Sequence, residues 1–356
     1  MELLRSAAIA ASTGLLCAGL GLGASAQVND KPLDESWWPS EWGSDDQVGA
    51  VNRTTPQMVL AALRLVKRGK VATLGKLYAP DIPLVPWRSY TMMIPGTPVG
   101  GPLGVNRVVF HDEFLATEIG QVGTQFDGPG HIGIRTSKGD VFYNGRFAAD
   151  TYQRGPGRKV VGMGDLGVEF VAEKGFVCRG VLLDATRHRG VERLPVPTAT
   201  DSQGIVTADD VQAMVRGQGL DPIGEGHCVF LYTGHGDLWK NSIWPTLSAE
   251  EKAARVRAFT AGEPGFGRSA CEYLAQRKII LTGGDTGANE AQPVGEIEGE
   301  AVPCHTELQT RHGIWNIENL DFSPLLEDGV DEFLFVWAPL KLVGATGSPG
   351  NPMALY

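Results

Sequence analysis

Short apolar runs broken by glycine and proline constrain this chain more than any other feature. Its 356 residues include 47 glycines and 22 prolines. A long helix needs an uninterrupted apolar stripe, whereas a run of three to eight apolar residues between breakers suits a buried strand. Val108–Phe110, Gly180–Leu183, Cys228–Tyr232, Ile279–Leu281 and Phe333–Trp337 read as such strands. Helices are announced by their caps. Thr55 precedes Pro56, with Val59, Leu63 and Val66 at helical spacing and Gly69 as the stop. Thr207 with Asp210 and Ser248 with Glu251 are capping boxes, the first closed by Gly217. Another helix runs from about Arg268 to Gln276, prepared by Gly265–Phe266–Gly267. The expectation is an α/β domain with a mixed central sheet, flanking helices and long functional loops. No repeat or linker divides it, so residues 27–356 form one domain.

Residues 1–26 read differently. Arg5, an apolar run from Ala7 to Leu20, and Ala24–Ser25–Ala26 before Gln27 have the layout of a cleaved secretory signal. An uncleaved membrane anchor is the rival reading. The signal predicts an exported protein, periplasmic or secreted, free of the membrane after cleavage. The net charge of -10 and the lack of a basic cluster argue against nucleic acid as a partner. Cys17 leaves with the signal; Cys178, Cys228, Cys271 and Cys304 remain. An oxidising compartment permits disulfides, but their pairing is not readable from sequence. Cys228, inside an apolar run, reads as a buried free thiol. Trp37, Trp38 and Trp42 form an aromatic arm expected to pack on the body or on a neighbouring subunit.

Chemistry concentrates in Gln121–Val122–Gly123–Thr124–Gln125–Phe126–Asp127–Gly128–Pro129–Gly130–His131. On an extended chain Gln121, Gly123, Gln125 and Asp127 share one face. Gly128–Pro129–Gly130 then turns the chain towards His131. An aspartate, a histidine and amide oxygens suit a divalent metal. A plain glycine–proline turn explains the same composition. A second polar cluster holds His305, Glu307, His312 and Glu318, and a third, Thr282–Gly283–Gly284–Asp285–Thr286, follows an apolar run. Either can be a binding loop or ordinary polar surface. No Gly-x-Ser-x-Gly elbow or His-Glu-x-x-His helix is present.

Taken together, these segments resemble the cyclase family that includes kynurenine formamidase and isatin hydrolase. Its signature reads His-x-Gly-Thr-His-x-Asp-x-Pro-x-His, and Gly123, Thr124, Asp127, Pro129 and His131 match at the right spacing. Gly43–Asn52, Tyr232–Thr233–Gly234–His235, Gly284–Asp285–Thr286, the pair His305 and Glu318, and Gly344–Pro349 are similar to further family motifs in the same order. The resemblance implies a swivelling β/β/α-type fold and metal-assisted hydrolysis of an amide-like bond. By position it makes Asp127, His305 and Glu318 metal ligands, and His131 the general base. Gln121 and Gln125 stand where the signature has histidines. An amide oxygen is a neutral, harder and weaker ligand than imidazole. One tightly held ion at most is therefore expected, manganese or zinc first, with magnesium brought within range.

The working expectation is a metal-dependent hydrolase of an amide, lactam or lactone. Gln125 adds its oxygen to the metal, and Thr124 or nearby amides hold the oxyanion. Gln121, His235 and Asp285 are further candidate ligands or substrate contacts. Two rivals stay open: a metal-dependent lyase or dehydratase, and an exported binding protein that lost catalysis through the two glutamines. Trp87, Phe110, Phe114 and Phe126 are either lining for a small ring-bearing substrate or simply core. By family analogy the protein is a homo-oligomer, a dimer or tetramer.

Overall fold

A computed structural model describes residues 28–356. The proposed secretory signal, with Gln27, lies outside the described residues. Nine strands form the central sheet: β1 (Val71–Thr73), β2 (Gln125–Asp127), β3 (Phe176–Asp184), β4 (Cys228–Tyr232), β5 (Leu281–Gly284), β6 (Trp315–Glu318), β7 (Glu332–Trp337), β8 (Gly347–Pro349) and β9 (Met353–Leu355). Their order is β1-β9-β7-β3-β4-β5-β6-β2-β8. The middle strands β3, β4, β5 and β6 are parallel; every other pairing is antiparallel. Parallel strands are covered on both faces and read as continuous apolar runs, which is why Val181–Leu183 and Cys228–Leu231 are wholly buried.

The sheet cannot be flat. Residues 350–352 join β8 to β9, a span of at most about 14 Å. Seven strand spacings separate the same two strands in the sheet order, about 33 Å if laid flat. The sheet therefore curls until its margins approach. Seam contacts confirm this: Leu74 N–H donates to Pro352 O at 2.8 Å, Gly75 bridges Leu320, and Gly350 N–H donates to Thr124 O at 3.4 Å.

Among the described residues four helices are eight or more residues long: α1 (Pro56–Leu63), α2 (Ala208–Gly217), α3 (Ala249–Phe259) and α4 (Arg268–Gln276). The Thr55 cap and both capping boxes form as expected. α1 stops six residues before Gly69, so Val66 lies outside it. Among the described residues no helix is long and apolar enough to cross a membrane.

Three expectations are corrected. Val108–Phe110 is a strand but not a buried one: among the described residues it pairs only with Gly100–Leu103, in a two-stranded ribbon whose side chains are exposed. Cys228 is no free thiol: it bridges Cys178, tying β4 to β3, and Cys271 of α4 bridges Cys304. Of the aromatic residues, Phe126 is core, packed on Phe176 and Trp337, whereas Trp87, Phe110 and Phe114 are exposed. The tryptophan arm does pack on the body. Trp38 sits over Gly145, and the Arg53 guanidinium stacks on Trp42.

Candidate metal centre

β2 is the platform. It lies between β6 and β8, with Glu318 opposite Gln125 across the β6 ladder. Residues two apart on a strand share a face, so Gln125 and Asp127 project together beside Glu318 and Asn316. After β2, Gly128–Pro129–Gly130 turns the chain, and His131 N–H closes the turn on Gly128 O at 3.1 Å. His131 Nε2 then lies 3.6 Å from Asp127 Oδ1. His305 opens a π-helical segment, His305–Arg311. Its Nε2 is 3.4 Å from Asp127 Oδ2 and 3.3 Å from Glu318 Oε1. Four residues from three stretches of chain thus meet at one point.

The partners of His305 fix its orientation. Its Nδ1 pairs with Glu290 Oε1, and Glu290 Oε2 accepts the Cys304 N–H at 2.7 Å. Asn316 Nδ2 donates to Glu318 Oε1 at 2.9 Å. A fourth acid, Glu263, accepts the Gly287 N–H at 2.7 Å, while its Oε1 is buried without a partner. Burial, reinforced by the Glu290 charge, pushes the Glu263 carboxyl up to about 8. Burial also raises Glu318 well above the usual range, and the Asp127 charge adds to it. Burial opposes ionisation of Asp127, but its attraction to the His131 and His305 rings outweighs it and holds its pKa low. For His305 burial is likewise outweighed, by Glu290, Asp127 and Glu318, so its pKa is raised. His131 is the exception: burial lowers its pKa despite Asp127.

This donor set fits a divalent cation. Asp127, His131 and His305 each offer a ligand atom, all within 4.8 Å of one another. Asp127 Oδ2 is buried with no hydrogen-bond partner, and an orphaned carboxylate oxygen is costly unless a cation meets it. Several acids crowd a single imidazole, an arrangement that a bound cation would relieve. A ligating histidine whose other nitrogen is held by a carboxylate is the usual pattern of such sites. Asp127, His305 and Glu318 come together as the sequence resemblance implied.

The glutamines behave differently from the expectation. The extended face ends at Gln125, because Gln121 and Gly123 take left-handed conformations, φ 55° and 68°. Gln125 nonetheless stays in the cluster. Its Nε2 donates to Glu318 Oε2 at 2.6 Å and to Asp127 Oδ1 at 3.2 Å, while its Oε1 accepts the Gln121 N–H. The amide turns its NH2, not its oxygen, to the carboxylates. To ligate a metal it would have to turn over. Gln121 Oε1 accepts from Arg88 Nη2 at 3.1 Å.

Three other candidates have different duties. Thr124 is fully buried; its hydroxyl donates to Asn319 O at 2.6 Å and accepts the Lys76 N–H at 2.8 Å. Its one proton is committed, so it has none for an oxyanion. Asp285 accepts from Thr233 N–H, Thr233 Oγ1 and Gly236 N–H, knotting the ends of β4 and β5. His235 reaches Phe259 O at 3.2 Å and packs on the Phe259 ring. Among the described residues no hydrogen bond or ion pair joins His235 or Asp285 to the Asp127 cluster. Glu307 and His312 pair with each other at 3.2 Å, away from it. Glu290, Glu263, Asn316 and Arg88 went unnoticed in the sequence. None lies at a motif spacing, and only the fold brings them in.

A curled mixed sheet carrying an aspartate–histidine–glutamate cluster defines an α/β protein with a candidate metal site. The family model of putative cyclases matches residues 59–291, well over half the chain, and the chain belongs to that family. A solved structure described as a novel cyclase is 28% identical, with a TM-score of 0.70, covering 88% of this chain and 98% of that one. Isatin hydrolase A from Ralstonia solanacearum is 20% identical with a TM-score of 0.54, covering 85% and 98%. An isatin hydrolase bound to the product analogue thioisatinate is 19% identical with a TM-score of 0.53, covering 85% and 99%. The two isatin hydrolases share the fold. A search of curated proteins returns no match.

Proposed function

We propose that the protein is a metal-dependent hydrolase opening an amide, lactam or lactone bond. The observation that carries this is the convergence of Asp127, His305 and Glu318 beside a fourth group, His131, suited to proton transfer. Asp127, His305 and Glu318 would hold the ion, which when bound supplies Lewis-acid polarisation and lowers the pKa of water.

His131 handles the proton. Burial keeps its pKa below the ordinary histidine value, so the ring is neutral at pH 7 and able to accept. Asp127 Oδ1, 3.6 Å from Nε2, stabilises the imidazolium once formed. The same nitrogen then returns the proton to the departing nitrogen or oxygen. Glu290 holds His305 in register throughout. The Gln125 NH2 spaces Asp127 from Glu318, which supports one ion rather than two. Two disulfides among the described residues support the export reading, since such bridges persist in oxidising compartments.

Asp127→Ala is the test. Metal content by mass spectrometry and turnover of a formamide, lactam and lactone panel should fall together. Full turnover in metal-free Asp127→Ala protein would end the proposal. Solvent ¹⁸O appearing in the product acid separates hydrolysis from elimination.

A further inference from the structure

Arg88 stands beside this centre without a counter-ion. Its Nη2 donates to a neutral amide, Gln121 Oε1, at 3.1 Å. Its Nε is buried and has no hydrogen-bond partner. Among the described residues no carboxylate oxygen lies within ion-pair distance of it. The neighbouring acid, Glu118, lies within electrostatic reach of the guanidinium but makes no ion pair with it, accepting instead Ser89 N–H at 2.7 Å and Ser89 Oγ at 3.2 Å.

The guanidinium is also placed rather than loose. Arg88 N–H donates to Val85 O at 2.9 Å, closing a turn, and Thr117 Oγ1 donates to Ser89 O at 2.9 Å, tying that turn to a second pass of chain. The outgoing pass leads directly to Gly120 and Gln121. A Cβ added at Gly120 would meet Arg88 Nη2 at 3.4 Å, so the glycine lets the planar group lie close to the backbone. From Arg88 a continuous polar row runs through Gln121 and Gln125 to Asp127 and Glu318. Arg88 lies within electrostatic reach of His131, which is partly open to solvent.

We infer that Arg88 is a substrate-binding residue that takes a carboxylate, so that the substrate or its ring-opened product carries one next to the reacting bond. A guanidinium offers five donors in a fork matched to a carboxylate, and Gln121 occupies one of them. A neutral substrate would leave this half-buried cation without a counter-ion and its buried Nε unpaired, which costs free energy. This inference rests on the hydrolase reading for the identity of the bond, but the binding itself does not.

The experiment is calorimetric titration of the purified, metal-containing protein with benzoate and with its neutral counterpart benzamide. Wild type should bind benzoate about tenfold or more tightly than benzamide, the effect of one charge-assisted pair. In Arg88→Gln, with metal content unchanged, the ratio should fall to near one; Arg88→Lys should keep part of it. Equal binding of both probes by wild type overturns the assignment. So does an undiminished preference in Arg88→Gln, which would put the carboxylate on the metal ion instead. Hydrolysis without benzoate preference defeats Arg88 alone, whereas benzoate preference with no turnover of any amide, lactam or lactone defeats the hydrolase reading alone.

Discussion

Glu290 makes the sharpest test of how the centre is held together. It is wholly buried, and its two oxygens have separate tasks: one pairs with His305 Nδ1, the other accepts the Cys304 N–H. Glu290→Gln keeps the shape and removes one acceptor. The amide can still accept the Cys304 N–H, but its NH2 then faces the Nδ1–H of His305, donor against donor. If it turns over, the clash moves to Cys304. Either way one hydrogen bond to a charged group is lost, about 1.5–3 kcal/mol. At tenfold per ~1.4 kcal/mol, that predicts manganese and zinc binding weakened about 10- to 100-fold. Competition against a chromophoric chelator at neutral pH measures it, with the melting temperature and the Cys271–Cys304 bridge checked in parallel. Binding within about twofold of wild type, in a folded variant, would show that His305 needs no such brace. The same result would refute the reasoning from charge crowding around this imidazole.

Other outcomes follow from the same geometry. His131→Asn should lower turnover about 10²- to 10⁴-fold while leaving metal content intact; loss of the metal would make His131 a ligand. Gln125→His removes the NH2 that bridges Asp127 and Glu318, and should raise the metal count per chain above that of wild type, read by elemental analysis. His235 is buried and neutral, its pKa lowered to about 4 from 6.5. Its contribution is therefore complete above pH 6.5 and is lost as pH falls towards 4, about 3 kcal/mol in all. Urea titrations should show this slope in wild type and a flatter one in His235→Gln. Replacing Cys178 and Cys228 together by serine removes a bridge between residues 50 apart in sequence; the loop-entropy argument gives about 4 kcal/mol, visible as a lower urea midpoint.

Much of the fold was legible because its determinants are local. Thr55, Thr207 and Ser248 cap helices through their own side chains, and the helix expected from about Arg268 to Gln276 forms there. Buried parallel strands announce themselves by unbroken apolar runs, as Cys228–Tyr232 does. The ribbon strand Val108–Phe110 has the same local pattern without the burial, because only the tertiary arrangement decides what covers it. At the site, Asp127, His305 and Glu318 were recognisable by motif order. Glu290 was not, since its role depends on meeting an imidazole fifteen residues further on. Thr124 and Asp285 matched family motifs, yet their hydrogen bonds are used to join strand ends. Chemistry and architecture draw on the same residue types, and only the partners tell them apart.

The seam between β8 and β9 makes the tail a buckle pin. Gly347–Pro349 backs the strand that carries Asp127, and Met353–Leu355 fastens to the far margin beside Val71–Thr73. A single peptide-bond cut among residues 350–352 would leave the helices and the parallel middle untouched. The hoop would lose Met353–Leu355 from between Val71–Thr73 and Glu332–Trp337, while Gly347–Pro349 would stay paired with the strand that carries Asp127.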